Sequence, residues 1–141
     1  MAPTPTILLV DDYEDTLELW GMFLRGAGFE VLTASDGRTA LSIAAEKRPN
    51  LAVLDIGLPG ISGTDVARAL RAQADTCHMP LIAATGYCHG GQIARARSSG
   101  FNALLIKPCD PSLLRSEIER LLESGGAPAF AIDGKPDTAQ G

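Results

Sequence analysis

Five residues with charged or hydroxyl side chains stand at the ends of short apolar runs: Asp11, Asp12, Asp55, Thr85 and Lys107. Carboxylates that lie close together repel one another, so three of them need a counter-charge. A hard divalent cation that prefers oxygen ligands, such as Mg2+, would supply it, and the ammonium group of Lys107 would add to it. Such a set could hold a phosphoryl group, and one carboxylate could accept it, because aspartate forms acyl phosphates.

The apolar run that ends at Asp55 shows where this chemistry belongs. Residues 51–54 are all apolar, which is typical of a strand buried on both faces, and the Gly and Pro residues that follow predict a turn. A carboxylate at that point needs partners, because burying an unpaired charge is unfavourable. In open α/β sheets the carboxyl edge of the strands is where ligands bind, and Asp55 is expected at that edge.

Apolar runs alternate with helical periodicity along the whole chain. The runs predicted to be strands are residues 6–10, 30–34, 51–55, 79–84 and 103–106. Each is followed by a segment with helical spacing or capping residues, such as Leu17, Trp20 and Leu24 after the first. This alternation predicts an α/β fold, a single doubly wound, five-stranded parallel sheet with five helices on its two faces. All five functional side chains would then share one edge of the sheet.

Composition and charge exclude several classes of protein. A chain of 141 residues, 45% of them hydrophobic, indicates one domain with a substantial core. The net charge of -5 argues against direct DNA binding. The sequence contains no run of 18 apolar residues, so we expect no membrane span. Without a visible signal peptide, and with three scattered cysteines, a cytoplasmic location is expected. We expect an N-terminal arm at 1–5, a folded domain at 6–124 and a flexible C-terminal tail at 125–141.

Four motifs at the strand ends resemble those of the response regulator receiver domain. They are Val-Asp-Asp at 10–12, Asp-Ile-Gly-Leu-Pro-Gly at 55–60, Ala-Thr-Gly at 84–86 and Lys-Pro at 107–108. Their order and separations match the family, and the resemblance covers about residues 5–124. It implies a flavodoxin-like fold with strand order 2-1-3-4-5 and a function in two-component signalling.

The resemblance implies a phosphoacceptor and a metal site. Asp55 matches the residue that accepts a phosphoryl group from a sensor histidine kinase or a phosphotransfer protein. Asp12 matches a direct Mg2+ ligand, and Asp11 matches an acid that holds the metal largely through water. Asp55 and the backbone carbonyl of Gly57 complete the implied ligand set, with Mn2+ as a substitute for Mg2+.

The resemblance also implies how the phosphoryl group is sensed. Thr85 matches a switch hydroxyl, and Lys107 matches the residue that pairs with Asp55 and then with the phosphoryl group. The Lys107–Pro108 bond is expected to be cis. Leu104 departs from the family, in which many members carry Tyr, Phe or His three residues before the lysine. Leu104 either packs in the core or leaves this role to Tyr87, which could instead gate water access.

The implied protein catalyses only its own phosphorylation and dephosphorylation, and is not otherwise an enzyme. It would be a stand-alone receiver or the receiver of a hybrid histidine kinase, acting on a downstream protein and open to phosphorylation-dependent homodimerisation. One alternative is a Mg2+-dependent phosphatase with an Asp nucleophile, although that class carries Asp-x-Asp where this chain has Asp11-Asp12-Tyr13. The others are a flavodoxin-type protein, which needs a hydroxyl-rich loop there, and a degenerate receiver that binds partners without phosphorylation.

Overall fold

The computed structural model describes residues 4–86, 90–124 and 130–136 as one α/β unit of seven strands and five helices. In chain order the elements are β1 (Thr6–Val10), α1 (Glu14–Gly26), β2 (Glu30–Ala34), α2 (Gly37–Lys47), β3 (Leu51–Asp55), α3 (Gly63–Arg71), β4 (Leu81–Thr85), α4 (Gly90–Ser98), β5 (Ala103–Ile106), α5 (Pro111–Ser124), β6 (Ala131–Ile132) and β7 (Lys135–Pro136). Tyr87, which the sequence suggests as a switch or gate, lies outside the described residues.

The strands form one sheet in the order β2-β1-β3-β4-β5-β6-β7. The first six are parallel to their neighbours, and β7 runs antiparallel to β6. The predicted order 2-1-3-4-5 is therefore correct for the first five strands, but the predicted number of strands is wrong. The additional parallel strand, β6, lies beside β5.

The extra strands come from the segment 125–141, which the sequence interpretation treats as a flexible tail. Residues 130–136 form a hairpin with Asp133 and Gly134 at its turn, and both have positive φ, 50° and 82°. A two-residue turn of this kind needs positive φ at both positions, which Asp-Gly tolerates. The prediction of a flexible tail is thus corrected for this C-terminal hairpin (residues 130–136), whereas 125–129 and 137–141 lie outside the described residues.

Side chains that alternate along the strands feed two apolar layers, one on each face of the sheet. On β1, Leu8 belongs to the layer that contains residues of α2, α3 and α4, whereas Ile7 and Leu9 belong to the layer that contains residues of α1 and α5. Each fully buried Leu or Ile contributes about 1.5–3 kcal/mol to stability. The two layers hold the sheet rigidly enough to fix the positions of the strand ends. Within the described ranges, no helix is long and apolar enough to cross a membrane.

Helix caps fix the loops that follow three of the strands. Asp36 accepts a hydrogen bond from the amide of Thr39 at the start of α2, and Ser62 accepts one from the amide of Asp65 in α3. Asp110 accepts one from the Ser112 amide at the start of α5. These caps satisfy backbone donors at the first turns of the helices above the sheet.

Candidate functional site

Three aspartates converge at the carboxyl edge of the sheet, as the sequence predicts. Val10 and Leu54 are paired in the parallel register of β1 and β3, so the next residue on each strand is an aspartate, Asp11 or Asp55. One carboxylate oxygen from each of Asp11, Asp12 and Asp55 lies within 4.8 Å of the others. Asp11 is buried, Asp55 is half-buried and Asp12 is exposed. The cluster therefore runs from the core out to solvent.

The ammonium group of Lys107 enters the cluster from the end of β5. Its Nζ lies 2.5 Å from Oδ2 of Asp11 and 3.7 Å from Oδ2 of Asp55. The pairing with Asp55 implied by the resemblance is present, but the closer partner is Asp11. Burial explains this preference, since the Asp11 side chain is 6% exposed and that of Asp55 is 14% exposed. The more deeply buried carboxylate has more to gain from a counter-charge.

Asp11 is held through both carboxylate oxygens. Its Oδ1 accepts a hydrogen bond from the Tyr13 amide at 2.9 Å, and its Oδ2 meets Lys107. Its own amide donates to the carbonyl of Ala34 at the end of β2, at 3.1 Å. Asp11 is thereby fixed in place, whereas Asp12 points toward water and has the open access that a direct metal ligand needs.

Two glycines shape the backbone around Asp55. The amide of Gly57 donates to Oδ1 of Asp55 at 3.1 Å and orients the carboxylate. A Cβ on Gly57 would lie 4.0 Å from that oxygen, an ordinary van der Waals distance. A Cβ on Gly63, by contrast, would lie 2.2 Å from the carbonyl oxygen of Asp55. The loop between β3 and α3 can close this tightly only because residue 63 has no side chain.

The environment of Asp55 disfavours its charged form. Burial is the main cause that raises the pKa of Asp55 above its usual value, and the charges of Asp11 and Asp12 add to it. The ammonium of Lys107 and the amide hydrogen bond from Gly57 oppose the rise. One ammonium does not neutralise three carboxylates. A further cation beside Asp55 would lower the repulsion directly.

Thr85 ends β4 beside this cluster. Ala84 pairs with Asp55 across β3 and β4, so Thr85 lies one residue further toward the carboxyl edge. Thr85 is 4% exposed, and its carbonyl accepts a hydrogen bond from the Lys107 amide at 2.8 Å. The ends of β4 and β5 are therefore joined at the residues that carry the hydroxyl and the ammonium group.

Two further sequence expectations concern β5 and the turn after it. The peptide bond between Lys107 and Pro108 is cis, as expected. Leu104 is 1% exposed and belongs to the apolar layer under α4, which agrees with the interpretation that it simply packs. A buried Leu at this position cannot move between exposed and buried states as a polar aromatic side chain can.

The donor set fits Mg2+ better than a softer metal. All three side-chain donors are carboxylate oxygens, and neither described cysteine, Cys77 or Cys109, belongs to the cluster. The Gly57 carbonyl, implied by the resemblance as a further ligand, stays a prediction. His78 is exposed, so it also lies apart from the cluster.

Sequence reasoning missed two residues that support the site. Gly63 permits the close loop at Asp55, and nothing in a single Ser-Gly step identifies such a close approach. Asp133, in the C-terminal hairpin, accepts a hydrogen bond through Oδ1 from the amide of Ile106 at 2.8 Å. The Asp-Gly pair between apolar and polar neighbours at 131–136 is a hairpin signal that could have revealed the turn, but not its contact with Ile106.

Comparisons with known proteins identify the family. A family model described as the response regulator receiver domain matches residues 7–119. The polar-differentiation response regulator DivK of Brucella anthropi is 33% identical over 103 residues, which are 73% of this chain and 84% of DivK. The response regulator PleD of Caulobacter vibrioides is 36% identical over 115 residues, 82% of this chain but only 25% of PleD.

Solved structures show the same similarity. The chemotaxis response regulator CheY4 of Vibrio cholerae has a TM-score of 0.80 and 28% identity, and the match covers 84% of this chain and 99% of CheY4. The receiver domain of the sensor histidine kinase PA1611 from Pseudomonas aeruginosa was crystallised with a magnesium ion coordinated in its active site cleft. Its TM-score is 0.81 with 29% identity, and the match covers 86% of this chain and 100% of that domain.

Proposed function

Because this chain belongs to the response regulator receiver domain family, and is a two-component receiver, we propose that Asp55 is its phosphoacceptor. The observation that carries the proposal is the convergence of Asp11, Asp12 and Lys107 on Asp55 at the carboxyl edge. A Mg2+-dependent phosphatase is not favoured, because Asp11-Asp12-Tyr13 lacks the second acid at the required spacing.

The proposed reaction is transfer of a phosphoryl group from a phosphohistidine to the carboxylate of Asp55. An oxygen of Asp55 attacks the phosphorus, the new O–P bond forms as the N–P bond breaks, and the imidazole nitrogen keeps the electron pair and takes up a proton. The Gly57 amide orients the carboxylate for in-line attack. Burial raises the pKa of Asp55, and the ammonium of Lys107 opposes this rise and so favours the carboxylate form that attacks phosphorus.

Asp11, Asp12 and Asp55 would hold Mg2+, with the carbonyl of Gly57. When bound, Mg2+ supplies positive charge that offsets the carboxylates and the phosphoryl oxygens. The Lys107 ammonium, poised between Asp11 and Asp55, supplies a second positive charge from the other side. The acidic cluster thus becomes a site for an anion once both cations are in place.

The proposed switch begins with a change of charge at Asp55. Phosphorylation replaces one negative charge with about two and adds acceptor oxygens. The Thr85 hydroxyl would move toward those oxygens, and Lys107 would shift from Asp11 to the phosphoryl group. Since the backbones of these two residues are hydrogen-bonded to each other, the ends of β4 and β5 would respond together. Hydrolysis of the acyl phosphate resets the protein.

The proposed partners follow from this role. The phosphoryl donor would be a sensor histidine kinase or a phosphotransfer protein, and the output would pass to a downstream protein. Receivers of this family work with histidine kinases and downstream effectors. Whether the chain acts alone or within a hybrid kinase does not alter the chemistry proposed for Asp55.

Intact mass spectrometry tests the acceptor. Incubation with acetyl phosphate and Mg2+ should add about 80 Da, the mass of one phosphoryl group. Asp55→Asn should abolish this adduct, because the amide is not a nucleophile for phosphorus. Asp65→Asn is the matched control, since Asp65 is an exposed aspartate on α3 that pairs only loosely with Arg68, at 3.7 Å. An adduct that persists in Asp55→Asn would remove Asp55 from this role.

A further inference from the structure

The C-terminal hairpin occupies the outer edge of β5, the strand that ends at Lys107. Ala131 pairs with Ala103 and Ile132 pairs with Leu104 in parallel register. The amide of Asp133 donates to the Leu104 carbonyl at 2.8 Å. Backbone groups at the edge of a sheet otherwise remain open to pairing with another chain. The hairpin therefore satisfies an edge that would be exposed without it.

Apolar contacts hold the hairpin to the layer beneath α4. Phe130 and Ile132 pack against the core cluster that contains Leu104, and Ala131 is buried. The Arg97 guanidinium carbon lies 5.1 Å from the centre of the Phe130 ring, a cation–π distance. These contacts are few, so docking of this segment is expected to open more readily than the core.

Asp133 connects the hairpin to the phosphorylation site. Its Oδ1 accepts a hydrogen bond from the Ile106 amide at 2.8 Å. Ile106 pairs with Thr85 across β4 and β5, and the next residue is Lys107. The Asp133 carboxylate therefore holds Ile106, the last residue of β5, from the side of the hairpin. On the opposite side, the Thr85 carbonyl holds the next residue, Lys107, through its amide.

The charges of Asp133 and Lys107 act on a common neighbour. Burial raises the pKa of the Cys109 thiol, the charge of Asp133 raises it further, and the charge of Lys107 lowers it. Both charged groups therefore lie close to the turn after β5.

We propose that Asp133 is a positioning residue for Lys107, and that docking of the C-terminal hairpin on β5 disfavours the phosphorylated state of Asp55. The proposal rests on the function proposed above. With the hairpin docked, the Lys107 ammonium pairs with the Asp11 carboxylate and lies 3.7 Å from that of Asp55. The Ile106 amide donates a hydrogen bond to Asp133. A phosphoryl group on Asp55 draws Lys107 and Thr85 toward it, which strains that hydrogen bond. By linkage, release of the hairpin raises phosphoryl occupancy by the same factor as phosphorylation weakens docking.

The turn at Asp133 allows a well-matched pair of variants. Asp133 has φ of 50°, a conformation that Asn and Gly both tolerate. Asp133→Asn keeps an oxygen that can accept from the Ile106 amide, whereas Asp133→Gly removes it. Lys135→Ala is the control, because Lys135 is an exposed residue of β7, on the side of the hairpin away from β5.

The experiment measures amide hydrogen exchange and beryllofluoride binding on the full chain, with Mg2+ present. In the wild type, beryllofluoride should speed exchange of the Ile106 and Asp133 amides. Asp133→Gly should speed the exchange of these amides even without beryllofluoride. It should also raise the affinity for beryllofluoride by about fivefold or more. Asp133→Asn should lie near the wild type, and Lys135→Ala should match it.

The outcomes separate this inference from the function on which it rests. If fluorine NMR detects no bound beryllofluoride in the wild type, the proposed function and this inference both fail. If beryllofluoride binds but the Ile106 amide exchanges no faster, only the inference fails. The inference would also be overturned if Asp133→Gly and the wild type bound beryllofluoride with equal affinity.

Discussion

The two edges of the sheet hold buried cations in opposite ways. At the amino edge, Arg71 of α3 makes five hydrogen bonds, all to neutral oxygens: the carbonyls of Gly100, Cys77 and Met79 and the amide oxygen of Asn102. All of its N–H groups are used, and burial lowers the pKa of its guanidinium. At the carboxyl edge, Lys107 faces more carboxylates than it can neutralise.

This difference distinguishes a structural cation from a functional one. All the N–H groups of Arg71 already have acceptors, so a change of charge elsewhere offers it no better position. Its hydrogen bonds join the turn before β4 to the turn before β5. The contacts of Lys107 are divided between Asp11 and Asp55 at 2.5 and 3.7 Å. A small change in charge at Asp55 can therefore shift Lys107 but not Arg71. Charge alone does not identify a site, whereas incomplete neutralisation does.

The largest expected effect tests the amino edge. Arg71→Ala leaves the buried carbonyls of Gly100 and Met79 without a donor, so we expect a loss of about 3 kcal/mol in the free energy of unfolding. Phosphorylation of the folded fraction by acetyl phosphate should be unchanged. Urea denaturation gives the first quantity, and intact mass at low temperature gives the second.

The control for that variant is Arg115→Ala, because Arg115 is exposed on α5 and pairs with Glu119 at 3.3 Å. Such a surface pair contributes about 0.5 kcal/mol or less. If Arg71→Ala lowered the free energy of unfolding no more than this control does, the amino edge would not be the more rigid of the two edges.

A smaller effect tests the carboxyl edge. Lys107→Ala removes a cation that competes with a metal for Asp11 and Asp55, so the affinity for Mg2+ should rise by about tenfold. Titration with Mg2+ monitored by Trp20 fluorescence measures it, since Trp20 and Asp11 line the same small cavity. Lys47→Ala, an exposed lysine of α2, should leave the affinity unchanged. A lower affinity in Lys107→Ala would mean that the ammonium supports the metal site instead of competing with it.

The smallest effect is a dependence of stability on pH. The raised pKa of Asp55 means that the folded state holds a proton more tightly than the unfolded state, whose value is near 3.8. Stability from this group is therefore present below that value and is lost as pH rises through the raised pKa. Asp55→Asn lacks the loss, so its stability relative to the wild type should increase as pH rises through that window. Water reaches the site and screens its charges, which keeps the effect small.

Asp110→Asn provides a control of opposite sign. Hydrogen bonds from the amide and hydroxyl of Ser112 lower the pKa of Asp110, so its contribution is present at higher pH and is lost as pH falls. This variant should lose stability relative to the wild type as pH rises. Urea midpoints at a series of pH values measure both variants. If the two trends had the same sign, the assignment of Asp55 as a carboxylate with an unfavourable environment would be wrong.

Much of the fold could be predicted because it depends on local pattern. The alternation of apolar runs and helical spacing predicts the first five strands, and the structure has them at nearly the predicted residues. The C-terminal hairpin escaped prediction because strands of two residues carry no periodicity. Its stability depends on the free edge of β5, which a local reading of residues 130–136 does not include.

The site was predictable in its components but not in its pairings. Apolar runs that end in Asp55, Thr85 and Lys107 predict a common edge from topology alone. That Lys107 lies closer to Asp11 than to Asp55 depends on how deeply each carboxylate is buried, which is a tertiary property. The tie between Asp133 and Ile106 likewise joins residues 27 apart.

The missing side chain of Gly63 has a consequence for how tolerant this chain is to mutation. Gly63 has no side chain that could react, yet every other amino acid would push the backbone of Asp55, the proposed acceptor, out of place. In a library of all single substitutions, positions 55 and 63 would both appear intolerant. Substitutions at position 55 would leave a folded protein without its proposed acceptor. Substitutions at position 63 would prevent the protein from folding. Intolerance to substitution is therefore not, by itself, a sign of reactivity.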